Sequence, residues 1–237
     1  MHTCLSPCAA LEMTPAAVAR AARQAGLGLV AVTDHNTARH APAFAEACRV
    51  EGLDALFGME VNTAEGAHVL CLFESPKTAL RFGEFIFSRL DEIPLIADKM
   101  GDQPVVNAQG DIEEMIEYYL GGATDLPVTD LCEVVHQAGG LCIPSHVDRL
   151  AMSLMSQLGR IPDLPFDAIE VTGRYPVEAD PAQVRGRWAM LRSSDAHCLD
   201  QIGRGWTDLD TGDPRLPALR AAFERLRLRQ APSPAAP

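Results

Sequence analysis

Histidine and carboxylate side chains fall in a few short stretches of this 237-residue chain: His2 in "MHTCLSPC", Asp34 and His35 in "AVTDHN", and Glu60 and His68 in "GMEVNTAEGAH". They recur as His146 in "IPSHVDR", Glu170 in "AIEVT", and Asp195 and His197 in "SSDAH". One such residue at a strand end is commonly a cap or a turn former. Gathered together they are costly to bury unless a cation is present. Imidazole with carboxylate is the ligand set of zinc, manganese and iron sites, and several metals in one cavity would use this many ligands. The spacing in "DAH" fits, because residues i and i+2 of an extended segment point the same way. His40 and His136 lie within helical patterns and read as structural or surface residues. Arg149 and Arg204 follow ligand candidates closely. Either guanidinium could hold an anion through a bidentate fork, or pair with a nearby Asp148 or Asp200.

The surrounding pattern supplies elements to position these groups. "MTPAAVARAARQAGLGLVAVT" reads as a helix capped by Thr14, opened by Pro15 and stopped by Gly26, followed by a buried strand. A helix near 42–51 leads into "DALFGMEVNT", and "AHVLCLF" follows as another strand. A helix through Val128, Leu131, Cys132 and Val135 ends at a glycine pair before "LCIPSH"; "DAIEVTG" and "WAMLRSSDAH" complete the series. This alternation predicts a barrel or a wound parallel sheet, whose C-terminal strand edge is where sites are built. His68 differs in opening its strand. Residues 1–230 read as one domain, interrupted at about 74–125 by a mostly helical insertion with helices at "LRFGEFIFSRL" and "DIEEMIEYYL". Residues 231–237 read as a disordered tail.

Composition narrows the classes. A net charge of −12 leaves no basic face for gripping a long nucleic acid duplex. Arg220, Arg225, Arg227 and Arg229 read as a solvated helix face. No apolar run suits a membrane and the start lacks signal-peptide features, which predicts a cytoplasmic protein. The seven cysteines include no CxxC pair and read as reduced thiols, with Cys48, Cys71, Cys132 and Cys142 in the core. Oligomeric state is not legible.

The ordered motifs "HTCLSPCA", "AVTDHN", "GMEVNT…H", "IPSHVDR" and "SSDAH" resemble those of the polymerase and histidinol phosphatase (PHP) metallo-phosphoesterases. The resemblance runs from His2 to about Trp206. It implies a distorted (β/α)7 barrel binding two or three divalent ions, manganese, zinc or iron. It makes His2, His35, Glu60, His68, His146, Asp195 and His197 the metal ligands. Asp34 would orient an imidazole or a water, and Glu170, with no motif match, stays structural or at the rim. Arg149 or Arg204 would clamp the phosphoryl group. The implied reaction is phosphoester hydrolysis by metal-activated water, on a small phosphorylated substrate or short oligonucleotide rather than a long duplex. Two departures stand out. Family members usually begin Asp-Leu-His-x-His; here Met1 fills the middle position, so the first strand and first histidine are missing or lie upstream. Where many members carry an aspartate ligand, this chain has "SPC", and Glu12 or Cys8 would substitute, Glu12 being the better match to a hard metal. These gaps leave a second reading, a degenerate domain that binds metal or a partner without catalysis. An amidohydrolase-type site fits less well, because Lys77 and Lys99 both fall in the insertion.

Overall fold

A computed structural model describes residues 1–172, 184 and 186–231. Helix α1 (Pro15–Gln24) starts where the Thr14 hydroxyl accepts a hydrogen bond from Ala17 N, which satisfies one of the amides a helix start leaves free. It buries Val18, Ala19 and Ala22, and the chain then enters β1 (Leu29–His35). Helix α2 (Ala41–Glu51) ends at Gly52, whose φ of +67° is open to glycine without a Cβ penalty. It leads to β2 (Asp54–Asn62), parallel to β1 with His35 opposite Glu60.

The next strand reverses. β3 (His68–Phe73) runs antiparallel to β2, with Asn62 opposite His68. Its beginning therefore lies at the edge where β1 and β2 end, and a histidine that opens a strand reaches the same place as residues that close theirs. β3 also pairs antiparallel with β6 (Leu141–Pro144), which delivers Ser145 and His146 to that edge. The main sheet has the order β1-β2-β3-β6. At Gly58 a Cβ would stand 1.8 Å from the Cys71 carbonyl oxygen, so strands β2 and β3 pack too closely for any side chain there. Helices α3 (Pro76–Phe87) and α5 (Val128–Gln137) cover this sheet along with α1 and α2.

The segment between α3 and α5 departs from expectation. A short helix, α4 (Ala97–Met100), precedes strands β4 (Pro104–Val106) and β5 (Ile112–Met115), which form an antiparallel pair. "DIEEMIEYYL" is thus extended and not helical. The Asn107 side chain accepts from the amides of Gln109 and Asp111, and Gly110 sits at a φ of +91°, closing a turn that commits the following residues to pair with the β-branched Val105 and Val106. Gln103 then fixes the return, donating to the Ile116 and Tyr118 carbonyls.

After α6 (Leu154–Leu158), a two-stranded parallel sheet forms from β7 (Ile169–Glu170) and β8 (Met190–Leu191), and α7 (Leu216–Gln230) closes the fold. No closed barrel is present among the described residues, and the sheet is mixed where a parallel one was expected. Residues 232–237, most of the expected tail, lie outside the described residues. Between β1 and the segment that follows β8, backbone hydrogen bonds hold the first two residues in place. The Met1 amino group donates to the Ala31 carbonyl, Thr33 N donates to the Met1 carbonyl, and His2 N donates to the Ala196 carbonyl. This is a parallel bridge of a single residue. Beside it lies a cavity of about 530 Å3, whose lining includes Leu29, Ala31, Leu56, Leu70, Ile143 and Phe223. No described helix is long and apolar enough to cross a membrane.

Candidate metal centre

At the shared strand edge five imidazoles form an arc. Ring centroids are 4.4 Å apart for His197 and His2, 4.6 Å for His2 and His35, 5.1 Å for His35 and His68, and 5.3 Å for His68 and His146. The Glu60 carboxylate sits inside it, with Oε2 at 3.4 Å from His2 Nε2, 3.5 Å from His35 Nδ1 and 3.2 Å from His68 Nδ1. Its Oε1 is 3.5 Å from His146 Nε2. Asp195 Oδ1 approaches His2 Nε2 at 3.4 Å. The ladder explains the placement, since Glu60 lies directly across from His35 and diagonally from His68.

Several of these nitrogens have no hydrogen bond although they are buried: His35 Nδ1, His68 Nδ1, and both nitrogens of His146. Such groups are expensive to leave unpaired, and a cation is what a ring of lone pairs around a carboxylate accommodates. Among the described residues, two groups each offer one ligand atom per residue, with those atoms all within 4.8 Å of one another: His2, Cys8, His35 and His197, and His35, Glu60 and His68. Backbone strain is concentrated here as well. His146 and Asp195 hold φ values of +31° and +44°, a region that costs non-glycine residues about 1–3 kcal/mol and persists where function requires it.

The tautomers are set by second partners. Ser6 Oγ donates to Asp34 Oδ1 at 2.8 Å, so at 3.0 Å it accepts from His2 Nδ1–H and leaves Nε2 for the centre. His197 Nδ1–H donates to the Asp195 carbonyl at 2.8 Å, again freeing Nε2. Asp34 itself does not enter the arc. It accepts from Thr3 N and Thr3 Oγ1 at 2.7 and 2.8 Å, and so pins the loop that carries His2. His40, fully buried, donates through Nδ1 to Thr3 Oγ1 and accepts at Nε2 from Val106 N at 2.8 Å, tying the loop to β4. His136, on α5, pairs through Nε2 with Asp167 at 2.9 Å, away from the centre.

Without a cation these charges compensate one another. Burial works against a charged His2, but Asp195 and Glu60 overcome it and raise its pKa to about 9. Burial and the neighbouring His2 lower His35 to about 3. For Glu60 burial opposes ionisation, yet His68, His146 and His2 hold the carboxyl well below its usual range. Burial, with Asp195 nearby, lifts Glu170 to about 7. Of the two readings of Glu170, structural or rim, burial fits the structural one, and the residue lines the cavity together with Glu60 and Asp195.

The remaining candidates divide. Glu12 and Cys8 are both exposed; Glu12 belongs to neither ligand group, whereas Cys8 stands in the first of them. Arg149 stands at the rim, with Nη1 3.2 Å from Asp195 Oδ2. Arg204 bonds the Asp200 carbonyl and carboxylate in an exposed pair and is not among the groups at the centre. Sequence reasoning missed Thr3 and Ser6. The available signal was their place in the same short loop as His2, whose ring needs a partner on its other nitrogen.

The PHP domain profile matches residues 1–152, which excludes Asp195 and His197. A search of curated proteins found no match. Among solved structures, the lesion-specific Endonuclease Q of Pyrococcus furiosus is 18% identical with a TM-score of 0.62, over 95% of this chain and 55% of that one. The chain thus spans about half the length of Endonuclease Q. A protein of Bifidobacterium adolescentis, proposed to be a metal-dependent phosphoesterase, is 17% identical with a TM-score of 0.61, over 98% of this chain and 95% of that one. Endonuclease Q has also been captured with a 27-mer duplex bearing an abasic lesion at its active site, at a TM-score of 0.60 to this chain. That overturns the exclusion of long duplexes: a fold of this kind takes one, so acidity of the whole chain says nothing of the surface around its site. With the profile covering well over half its length, the chain belongs to the PHP domain family.

Proposed function

We propose that the chain is a metal-dependent phosphoesterase, hydrolysing a phosphoester with a metal-activated water. The observation that supports this most is the Glu60 carboxylate enclosed by imidazoles whose buried nitrogens lack hydrogen bonds. His2, His35, Glu60, His68, His146, Asp195 and His197 would hold two or three ions of manganese, zinc or iron. Such ions supply Lewis acidity and lower the pKa of a bound water toward neutrality. The chain's own residues do the rest. Ser6 and the Asp195 carbonyl keep Nε2 of His2 and His197 free, and Asp34 holds the loop still. Arg149, half exposed beside Asp195, is placed to exchange that carboxylate for phosphoryl oxygens. Among substrates, small phosphorylated metabolites, nucleotides and oligonucleotides all fit the chemistry, and the likeness to Endonuclease Q adds abasic-site DNA to those worth trying.

The test starts with protein purified without chelator. Elemental analysis should find two or three equivalents of metal. Hydrolysis of aryl phosphate mono- and diesters, nucleotides or an abasic oligonucleotide should vanish with chelator and in His197→Ala. Bound metal with no hydrolysis of any of these would leave a binding module in place of an enzyme. Arg149→Ala should raise KM roughly tenfold with a smaller effect on kcat, as loss of substrate binding does.

A further inference from the structure

The loop from Thr3 to Met13 brings a sulfur to the centre. Cys8 Sγ lies within 4.8 Å of ring nitrogens of His2, His35 and His197, all of which lie within that distance of one another. The loop is held from several sides. Ser6 N donates to the Thr3 carbonyl and Ala9 N to the Ser6 carbonyl, which turns the chain around Pro7. Ala10 N donates to the His197 carbonyl at 2.8 Å, tying the sulfur's loop to one of the histidines it faces. On the outer side, Gly101 packs so tightly against Pro7 that a Cβ there would stand 2.3 Å from the Pro7 carbonyl oxygen. The neighbouring thiols are placed differently. Cys4 is buried in the core, and Cys198 Sγ bonds Asp200 Oδ1 at 2.9 Å. Cys8 itself is exposed, whereas two of the facing histidines, His2 and His35, are buried, and His35 Nδ1, 3.5 Å from Glu60 Oε2, has no hydrogen bond.

We infer that Cys8 is a metal ligand, completing with His2, His35 and His197 a subsite of three imidazoles and one thiolate. This rests on the metal-centre reading above and refines it. A thiolate among imidazoles favours zinc, iron(II) or cobalt(II) over manganese and magnesium, which prefer oxygen. The other group, His35, Glu60 and His68, offers two imidazoles and a carboxylate and is the harder of the two. The centre is therefore asymmetric, with its softer end beside the N-terminal loop and its harder end on the β2–β3 ladder. His35 is common to both groups.

Cobalt(II) tests this by spectroscopy, without reference to activity. The chelator-stripped chain is titrated with cobalt(II), for the natural sequence and for Cys8→Ser. The natural chain should show visible ligand-field bands together with a near-ultraviolet sulfur-to-cobalt charge-transfer band. Cys8→Ser should keep the former, lose the latter, and lose at least about tenfold in zinc affinity while its manganese affinity barely moves; even outer-shell changes cost that much. Zinc should also protect Cys8 from alkylation, read by peptide mass, while Cys198 stays reactive as an internal control. Ligand-field bands without a charge-transfer band, or a spectrum identical in both proteins, would overturn the role of Cys8 and leave the metal centre standing. No cobalt bound by either protein would overturn both.

Discussion

The two walls of the centre are built differently. On one side Glu60, His35 and His68 stand on three hydrogen-bonded strands of the main sheet, where register alone fixes their separations. On the other, Asp195 and His197 follow a strand of two residues, and their positions depend on side chains. Gln230 bonds both the amide and the carbonyl of Met190, and Thr207 does the same for Arg192. His2 spans the two walls, touching Glu60 on one and Asp195 on the other. One wall is rigid by pairing and the other by local capping. The first should fail all at once and the second by degrees.

The sharpest way to break the comparison is at its centre. Glu60→Gln keeps the shape but removes the charge that four imidazoles face, and activity should fall on the order of a hundredfold or more, with metal content dropping in elemental analysis. Gly58→Ala attacks the rigid wall without touching a ligand. The new Cβ meets a backbone oxygen at 1.8 Å, so the strands must part, and urea unfolding should show a loss of about 3 kcal/mol or more. Asp34→Asn loosens the bridging residue. Metal affinity should weaken by about 10–100-fold, measured by competition with a chelating dye, and urea stability should fall by about 1–3 kcal/mol, because a buried carboxylate accepting three hydrogen bonds is lost.

The smallest effect is in pH. His2 in the cation-free chain titrates near 9 instead of 6.5, so the folded state binds the extra proton. The stability it contributes is full below pH 6.5 and is lost as pH rises through about 9. Thermal melts of stripped protein should therefore decline across that window. Zinc should flatten the decline, because a bound cation would compete with the proton for the His2 ring.

The legible part of the molecule was the part governed by local rules. Thr14, Pro15 and Gly52 mark helix ends by backbone chemistry that reads directly from residue type, and the helices stand there. Histidines and carboxylates at strand ends could be collected because strand ends share an edge. The reversal of β3 was not legible: a buried apolar strand has the same pattern in either direction, and only the pairing of His68 with Asn62 settles it. The Glu-rich stretch at 111–120 has helical composition, and a turn at Asn107 and Gly110 overrode it. Between Glu12 and Cys8 ligand hardness favoured the carboxylate, while the turn around Pro7 presents the sulfur. Residue type ranks ligands, but the loop decides which of them arrives.

The amino group of Met1 has a practical consequence. It is already engaged in the ladder, donating to the Ala31 carbonyl and to Thr33 Oγ1 at 2.9 Å. It borders the cavity whose lining includes Met1, Leu29 and Ala31, one residue from the histidine that faces Glu60. A purification handle fused at this end is therefore no neutral appendage. Tagged and untagged protein should differ in retained metal by elemental analysis, because a handle replaces the amino group that donates to Ala31 and Thr33.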